Sequence, residues 1–290
     1  MFPKPRFLNS IGVVQCLLAT FFVVWLLFPG GGAAFAWPVR SALTAAFLAT
    51  AFILRAVLGY AIWREKHWYR LRALVWGNYA FLGVIFLATF WHVDEMSWKT
   101  QGLLAHVWVI AYIVEPLLLV LREPRGSESR TSLSPERSGG AIFPGLKWTL
   151  TGIYMVGITV AGILFINPEF ADIRWPWAVD PFDARIMAAW PALCALWAAS
   201  LYLRSDWAEV KLGVQLLLLF GFSMFVFWAV TFPGYDPARA NRWQFGAVVG
   251  VAAILLAYYY WRQEAARRRA SAPLPAPSTT EGQVIGPSAT

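Results

Sequence analysis

Hydrophobic side chains form eight long runs along this chain, separated by short polar segments. Each run is about 20 residues long and apolar on every face, which is what a helix needs to cross the hydrocarbon core of a membrane. Strands of a membrane barrel would instead alternate polar and apolar residues. The pattern therefore predicts an all-α, polytopic membrane protein whose eight spanning helices cover residues 9–28, 42–63, 73–91, 102–121, 148–166, 185–203, 212–231 and 245–261.

The eight predicted spans fall into two groups of four, which indicates a duplicated four-helix unit. Trp37 aligns with Trp177 and Trp68 with Trp207, and the two pairs have nearly the same offset along the chain. Because four is an even number, the two units would have the same orientation in the membrane, as in transporters built from parallel repeats. The alternative is that two apolar, Trp-rich halves align by chance. The predicted division of the chain is a first four-helix unit at 1–122, a cytoplasmic linker at 123–146, a second four-helix unit at 147–262 and a disordered cytoplasmic tail at 263–290.

Composition and charge define the class of protein and its orientation. Of the 290 residues, 59% are hydrophobic and 14% are charged, which excludes a water-soluble domain. Of the 24 Lys and Arg residues, 17 lie on the side that holds both chain ends and 6 on the other. Basic residues near helix ends stay in the cytoplasm, so we expect both termini there, in a cell (inner) membrane. The net charge of +8 then reflects contact with the lipid bilayer and requires no nucleic-acid partner.

Polar residues lie inside three predicted helices of the first unit, at a similar depth. Arg55 is eight residues from the cytoplasmic end of its helix, Glu115 six and Asn78 five, which corresponds to about 12, 9 and 8 Å at 1.5 Å per residue. A charge in hydrocarbon is costly unless it is paired or hydrated. One interpretation is a site for an ion, a proton or a small polar substrate entering from the cytoplasm; the other is a structural ion pair, or side chains that extend to the headgroups. Cys194 or Ala195 stands at the position of Arg55 in the second unit, so the site would belong to the first.

A second group of polar residues lies at the outer ends of predicted helices three and four. Imidazole and carboxylate groups bind zinc or copper, and histidines bind haem, so the group is a candidate metal or haem site. Its spacing matches no established metal motif, and a histidine at a membrane interface is commonly solvated. The sequence therefore does not identify a cofactor. The members of the group are His92, Asp94, Glu95 and His106.

The segment before the sixth span has the pattern of a helix start at the outer membrane surface. Asp180 suits the N-cap, Pro181 suits the first helical position, and Asp183 favours the positive end of the helix. Arg185 would pair with Asp180 or Asp183. The segment therefore predicts structural anchoring, with a ligand-binding vestibule as the alternative.

Two tryptophans precede this helix start. Trp175 and Trp177 are expected to anchor at the headgroup level, each with its indole N–H in water. The run Trp175-Pro176-Trp177, followed by Asp180-Pro181 and Ala184-Arg185, resembles a signature of uncharacterised bacterial multi-pass membrane proteins. In that signature Trp-Pro-Trp and a Thr-Pro turn precede Ala-Arg and an apolar helix, whereas Asp180 and Asp183 stand here where Thr is more frequent. The resemblance covers about 35 residues and implies a bacterial membrane family without an activity.

Three classes of function are compatible with these features. The parallel repeat and the intramembrane polar residues favour a small-molecule or ion transporter. Short loops favour a non-catalytic accessory or scaffold subunit, which would have a membrane-protein partner or form a homo-oligomer. The outer histidines and acids suggest a membrane redox or lipid enzyme. The sequence contains no phosphate-binding glycine loop, nucleophile elbow or zinc motif, which favours the first two classes.

Overall fold

The computed structural model describes residues 6–122, 140–239 and 241–270. Within these residues the chain is helical and forms no β-strand, which confirms the predicted all-α class. The helices are α1 (Arg6–Leu27), α2 (Ala42–Arg64), α3 (Trp68–Trp91), α4 (Gly102–Arg122), α5 (Pro144–Ile166), α6 (Pro168–Arg174), α7 (Pro181–Met187), α8 (Ala189–Tyr202), α9 (Trp207–Thr231) and α10 (Arg242–Ala270), with short 3-10 helices at Val93–Glu95 and Phe232–Gly234.

Seven helical segments in the described part of the chain are long and apolar enough to cross a membrane. They are α1, α2, α3, α5, α9 and α10, together with α7 and α8 as one segment, Pro181–Tyr202. Helix α4 is apolar over Gly102–Leu117, which is shorter than these seven. Several apolar helices of this length are characteristic of a multi-pass membrane protein. The fourth predicted span, 102–121, which would bring the number of spans to eight, stays a prediction.

Several boundaries differ from those predicted. Helix α5 begins at Pro144 rather than at 148, and α10 continues to Ala270, so residues 263–270 are helical and not a disordered tail. Two hydrogen bonds of Gln263, in α10, hold the start of α5 and this last part of α10 together. Its Oε1 accepts from the Phe143 amide at 3.1 Å, and its Nε2 donates to the Ala141 carbonyl at 2.7 Å. The rest of the predicted linker, 123–139, and of the tail, 271–290, lie outside the described residues.

The sixth predicted span also differs in its shape. It begins at Pro181, four residues before the predicted start, and Ala188 separates α7 from α8. The short helix α6 precedes it and was not predicted; Pro168 is its first residue and the Asn167 side chain accepts from the Phe170 amide at 3.1 Å. A proline at the first helical position and an asparagine N-cap favour a helix start. They do so even when the helix is too short for its hydrophobic periodicity to be recognised in the sequence.

Successive long helices run in opposite directions, so α1, α3, α5 and α9 begin at the same face of the protein. We call it the basic face, because Arg72, Arg204 and Lys211 lie there, and we call the other the opposite face. At the basic face the Glu209 carboxylate is 3.8 Å from the guanidinium groups of both Arg72 and Arg204. This contact joins the first half (6–122) to the second half (140–270).

Helix α1 packs along α2 through two glycines. A Cβ atom on Gly12 would lie 2.7 Å from the Gly59 carbonyl oxygen, and one on Gly59 would lie 2.6 Å from the Cys16 nitrogen. Side chains do not fit at these distances, so both positions require glycine. This close approach fixes the rotation of α1 and turns Gln15, which is 6% exposed, toward the protein interior.

The two halves pack through α3 against α8 and through α2 against α9. The Trp197 ring of α8 is fully buried, and its Nε1 donates to the Leu74 carbonyl of α3 at 2.7 Å. The ring lies against Gly77, where a Cβ would also be only 2.7 Å from the Leu193 carbonyl oxygen. The small residue therefore admits the indole, and the carbonyl satisfies its N–H, which a buried tryptophan requires.

Candidate polar site in the membrane interior

The structure brings Arg55, Asn78 and Glu115 together in the first half, from α2, α3 and α4. Nη2 of Arg55 donates to both carboxylate oxygens of Glu115, each at 2.9 Å, and Nη1 donates to the Asn78 amide oxygen. The Asn78 amide nitrogen donates to Glu115 Oε1 at 3.3 Å. The three residues at similar predicted depth therefore form one hydrogen-bonded cluster, with charge-assisted bonds that are stronger than neutral ones.

Gln15 of α1 is a fourth member, which the sequence analysis missed. With its amide oriented so that the oxygen faces donors, the oxygen accepts from Arg55 Nε, Nη2 and Nη1 at 3.2, 3.1 and 3.0 Å. Amide orientations are assigned from the hydrogen-bond network, and this one satisfies both partners. Gln15 is nine residues after Arg6, about 13 Å along the helix, which is a depth similar to that of the other three. Each long helix of the first half thus contributes one polar residue to the cluster.

The surroundings of the cluster are apolar. The Arg55 side chain is 3% exposed and the Glu115 side chain 16%. Arg55 Cζ lies 4.4 Å from the centroid of the Phe81 ring, and the Trp190 ring packs against Phe81 with its centroid at 4.5 Å. In such a site a guanidinium and a carboxylate each depend on the other for neutralisation, so removing one leaves a buried charge without a counter-ion.

A narrow cavity leads from the basic face toward the cluster. It has a volume of about 40 Å³ and lies between α1, α2 and α3. Phe7, Ile62 and Trp68 line it near the helix ends, and Asn78 lines it at depth. A single water needs about 10–15 Å³ measured in this way, so there is room for about three waters. The cluster is therefore buried but within reach of water or a small ion at one face.

The four residues of the candidate metal or haem site do not form one centre. His92 is 9% exposed; its Nδ1 is 2.5 Å from Glu95 Oε1 and its Nε2 is 2.6 Å from Nη1 of Arg185. His106 is exposed, bonds to the Gly102 carbonyl at 2.5 Å, and its ring packs on Trp98. Asp94 is exposed. Within the described residues, no three His, Cys, Asp or Glu side chains are placed to hold a metal ion.

The partners of His92 indicate which ring nitrogen accepts and which donates. An arginine can only donate, so Nε2 accepts from Arg185 and Nδ1 carries the hydrogen that is donated to Glu95. The imidazole therefore bridges the Arg185 guanidinium and the Glu95 carboxylate. Its ring is stacked on Phe182, with the centroids 4.8 Å apart. Both ring nitrogens are occupied by protein groups, which leaves neither for a metal.

The helix-start motif is folded as a buried connection between the halves. Asp180 caps α7, as predicted, by accepting from the Asp183 amide at 2.8 Å. Asp183 is 1% exposed, and its Oδ1 accepts from the Trp37 indole at 2.8 Å. Trp177 is 3% exposed and donates to Thr44 Oγ1 at 2.9 Å. The prediction that Trp177 has a wet indole N–H was wrong, because its partner lies in the other half of the chain.

Arg185 and Trp175 complete this motif. The expected pairing of Arg185 with Asp180 or Asp183 was wrong: the guanidinium donates to His92 and, through Nε, to the Phe165 carbonyl at 3.1 Å. The prediction of a wet indole N–H was wrong for Trp175 as well: the residue is half-buried, and its Nε1 is buried without a hydrogen-bond partner among the described residues. A search of protein-family models, curated proteins and solved structures finds no match to this chain.

Proposed function

We propose that this protein is a membrane transporter for a proton, an ion or a small polar molecule, and that Glu115 is the group that binds the cargo. The observation that carries the proposal is the buried Arg55–Glu115 pair where four helices meet, with a cavity that leads to Asn78 from the basic face. Ionisable groups inside membrane helices commonly mark ion pathways and proton relays. A purely structural ion pair would need no such route.

In this proposal, the Glu115 carboxylate exchanges the Arg55 guanidinium for the cargo as its binding partner. In the described state both carboxylate oxygens accept from Nη2 of Arg55. A proton or cation that arrives through the cavity competes with the guanidinium for these oxygens. When Glu115 is neutralised in this way, the amide oxygens of Gln15 and Asn78 still accept from Arg55, so the buried positive charge keeps hydrogen-bond partners.

Helix α4 has a flexible point next to this carboxylate. Pro116 lies inside the helix, directly after Glu115. Proline has no N–H to bond to the Tyr112 carbonyl, one turn earlier, and it favours a bend. Movement of Glu115 away from Arg55 therefore breaks fewer backbone bonds in α4 than in an unbroken helix.

Proton uptake into liposomes tests the proposal. The full chain is reconstituted, a potassium diffusion potential negative inside is imposed with valinomycin, and an entrapped pH dye reports the interior. We expect acidification that depends on the protein and falls to the level of empty liposomes in Glu115→Gln. Glu169→Gln, at an exposed residue of α6, is the matched control and should behave as wild type. Equal uptake in wild type and Glu115→Gln would contradict the proposal.

An accessory or scaffold subunit is the second candidate. The observation that favours it is that Arg55 finds hydrogen-bond acceptors for its guanidinium within the chain, so the cluster can stand without a ligand. In that case neither wild type nor Glu115→Gln would carry protons or any tested ion, and Glu115→Gln would change only the stability. Extraction in a mild detergent would then retain a second polypeptide.

The duplication of a four-helix unit is part of the same proposal. Helix starts recur at a nearly constant offset along the chain: α2 and α7 begin at Ala42 and Pro181, and α4 and α10 at Gly102 and Arg242. The 3-10 helices Val93–Glu95 and Phe232–Gly234 repeat this offset. The contacts are also reciprocal, since α2 packs on α9 and α3 on α8. The matched helix starts and reciprocal contacts support a duplication over a chance alignment of two apolar halves.

We propose eight spans in a cell (inner) membrane, with α4 as the fourth and the basic face in the cytoplasm. Cysteines in place of Lys66 and Lys99 test the orientation and the crossing of α3, because both lysines are exposed and lie at opposite faces. Cys16 and Cys194 are first replaced by alanine. An impermeant maleimide added to intact cells should label Lys99→Cys and not Lys66→Cys. The reverse pattern would invert the orientation, and labelling of both would show that α3 does not cross the membrane.

A further inference from the structure

An open groove runs along the second half, separate from the polar cluster. Two cavities of about 730 and 300 Å³ lie between α5, α8, α9 and α10. Both are lined by Val156, Pro191 and Phe220, so they form one continuous groove. Each cavity has the size of a small-molecule site, about 300 to 1,000 Å³. Most of the lining is apolar, as expected for a surface that faces lipid.

The groove extends over most of the apolar thickness of a membrane. It reaches Gly145 and Tyr259 near the basic face and Trp175 and Gln244 near the opposite face. From Gln244 to Tyr259 is fifteen residues of α10, or about 22 Å at 1.5 Å per residue. The hydrocarbon core is about 30 Å thick. A chain that starts at the headgroups of the opposite face can therefore lie along the groove and pass the midplane.

Several polar groups converge at the mouth of the groove near the opposite face. The buried Trp175 Nε1 has no hydrogen-bond partner among the described residues. Arg174 is exposed and forms no ion pair with the residues that the structure describes; its Cζ lies 5.7 Å from the Phe170 ring centroid. The amides of Asn241 and Gln244 line the same mouth. The guanidinium and these two amides are donors at the mouth, so it suits a ligand that accepts hydrogen bonds and carries negative charge.

We infer that this groove binds one anionic phospholipid, with its phosphate at Arg174, beside Trp175, and an acyl chain along α5 and α10. A phosphate supplies several acceptor oxygens and a negative charge, and arginine binds it in a two-pronged geometry. An apolar helix of another protein would use its backbone acceptors internally and would offer neither. The inference is independent of the transport proposal, because none of the groove residues belongs to the Arg55 cluster.

The chain offers matched variants at both parts of the groove. Gly152 lines it, and a Cβ there would meet no atom within 4 Å, so Gly152→Phe fills the groove without displacing backbone. Gly162, on the same helix, is equally open but does not line the groove, which makes Gly162→Phe its control. Arg174→Gln removes the charge at the mouth. Arg40→Gln removes an exposed arginine that also lies outside the lining.

Native mass spectrometry after reconstitution with equal amounts of phosphatidylglycerol and phosphatidylcholine tests the assignment. We expect one phosphatidylglycerol per chain, retained in preference to phosphatidylcholine. Arg174→Gln should weaken retention about tenfold, the loss of one charge-assisted hydrogen bond, and Gly152→Phe should abolish it. Both controls should retain the lipid as wild type does.

Several results would overturn the assignment. Equal retention of the two lipids would remove the role of negative charge, and retention that survives both Arg174→Gln and Gly152→Phe would place the lipid elsewhere. A second polypeptide or a second copy of this chain that is released by Gly152→Phe would make the groove a protein interface. None of these results bears on proton uptake, so the failure of one proposal leaves the other testable.

Discussion

The indole N–H of Trp37 in the first half donates to the buried carboxylate of Asp183 in the second half, at 2.8 Å. The reciprocal contact runs the other way: Trp177 of the second half donates to Thr44 Oγ1 of the first, at 2.9 Å. The separation of Trp37 from Trp177 along the chain is nearly the same as that of Thr44 from Asp183. In each half, a tryptophan in a loop thus donates to the first turn of a helix in the other half: Trp37 to α7 and Trp177 to α2. These two contacts join the halves at the opposite face.

Trp37→Phe is predicted to destabilise the protein by about 1 to 3 kcal/mol, because it leaves the acceptor of Asp183 buried without its donor. The ring contacts with Phe35 and Trp108 are largely kept. The measurement is the free energy of unfolding in mixed detergent micelles. Trp76→Phe, at a tryptophan that is 58% exposed, is the control, and an equal loss in both variants would contradict the prediction.

Gly77→Ala should loosen the packing of α3 on α8 and lower the free energy of unfolding by about 1 to 3 kcal/mol. The added methyl group would meet the Trp197 ring and the Leu193 carbonyl oxygen. Gly83→Ala, on the same helix, would meet no atom within 4 Å. Since alanine favours a helix by about 1 kcal/mol over glycine, this control should be neutral or stabilising. Similar losses at both positions would show that the close approach at Gly77 is not needed.

Glu115→Gln should be less stable than the double variant Arg55→Leu/Glu115→Leu. The single change leaves the Arg55 charge buried without its counter-ion, at a cost of about 3 to 5 kcal/mol, whereas exchanging both partners of a buried ion pair for apolar residues is often neutral. Thermal unfolding in detergent, followed by circular dichroism, ranks the two variants. If the double variant is the less stable of the two, Arg55 is hydrated in the protein and not enclosed by the cluster.

Glu65, in the loop between α2 and α3, should make the stability depend on pH in the acid range. Burial raises the pKa of Glu65, but hydrogen bonds from the His67 backbone and imidazole and from Arg70 lower it by more, so the net pKa lies below the ordinary 4.5. A lowered pKa stabilises the fold above the pKa of the unfolded chain, and this contribution is lost as the pH falls through the folded value. The midpoint of unfolding should therefore fall more steeply below about pH 4.5 in wild type than in Glu65→Gln. Parallel curves would contradict the prediction.

The cluster could largely be predicted from the sequence because charged residues are rare in membrane helices and helical rise is constant. Arg55, Asn78 and Glu115 stand out in apolar runs, and counting from the helix ends gives similar depths. Gln15 was missed because depth alone does not say which side of α1 faces inward. That rotation depends on the contact of Gly12 with Gly59, which is a tertiary feature.

Partners between distant parts of the chain could not be predicted. Asp180 and Asp183 are close to Arg185 in sequence, but the arginine reaches His92 in the other half of the chain. Trp177 has the composition of an interface anchor, yet its donor finds Thr44 across the two halves. Local propensity predicts caps and helix starts well, whereas these pairings follow from how the long helices pack.

Proton uptake by the double variant Arg55→Leu/Glu115→Leu, compared with wild type in the same liposomes, tests the central claim most directly. The double variant should fold and insert, because no unpaired charge is left in the cluster. We predict uptake in wild type and none above empty liposomes in the double variant. Undiminished uptake by a correctly inserted double variant would show that the Arg55–Glu115 pair is not the transport site.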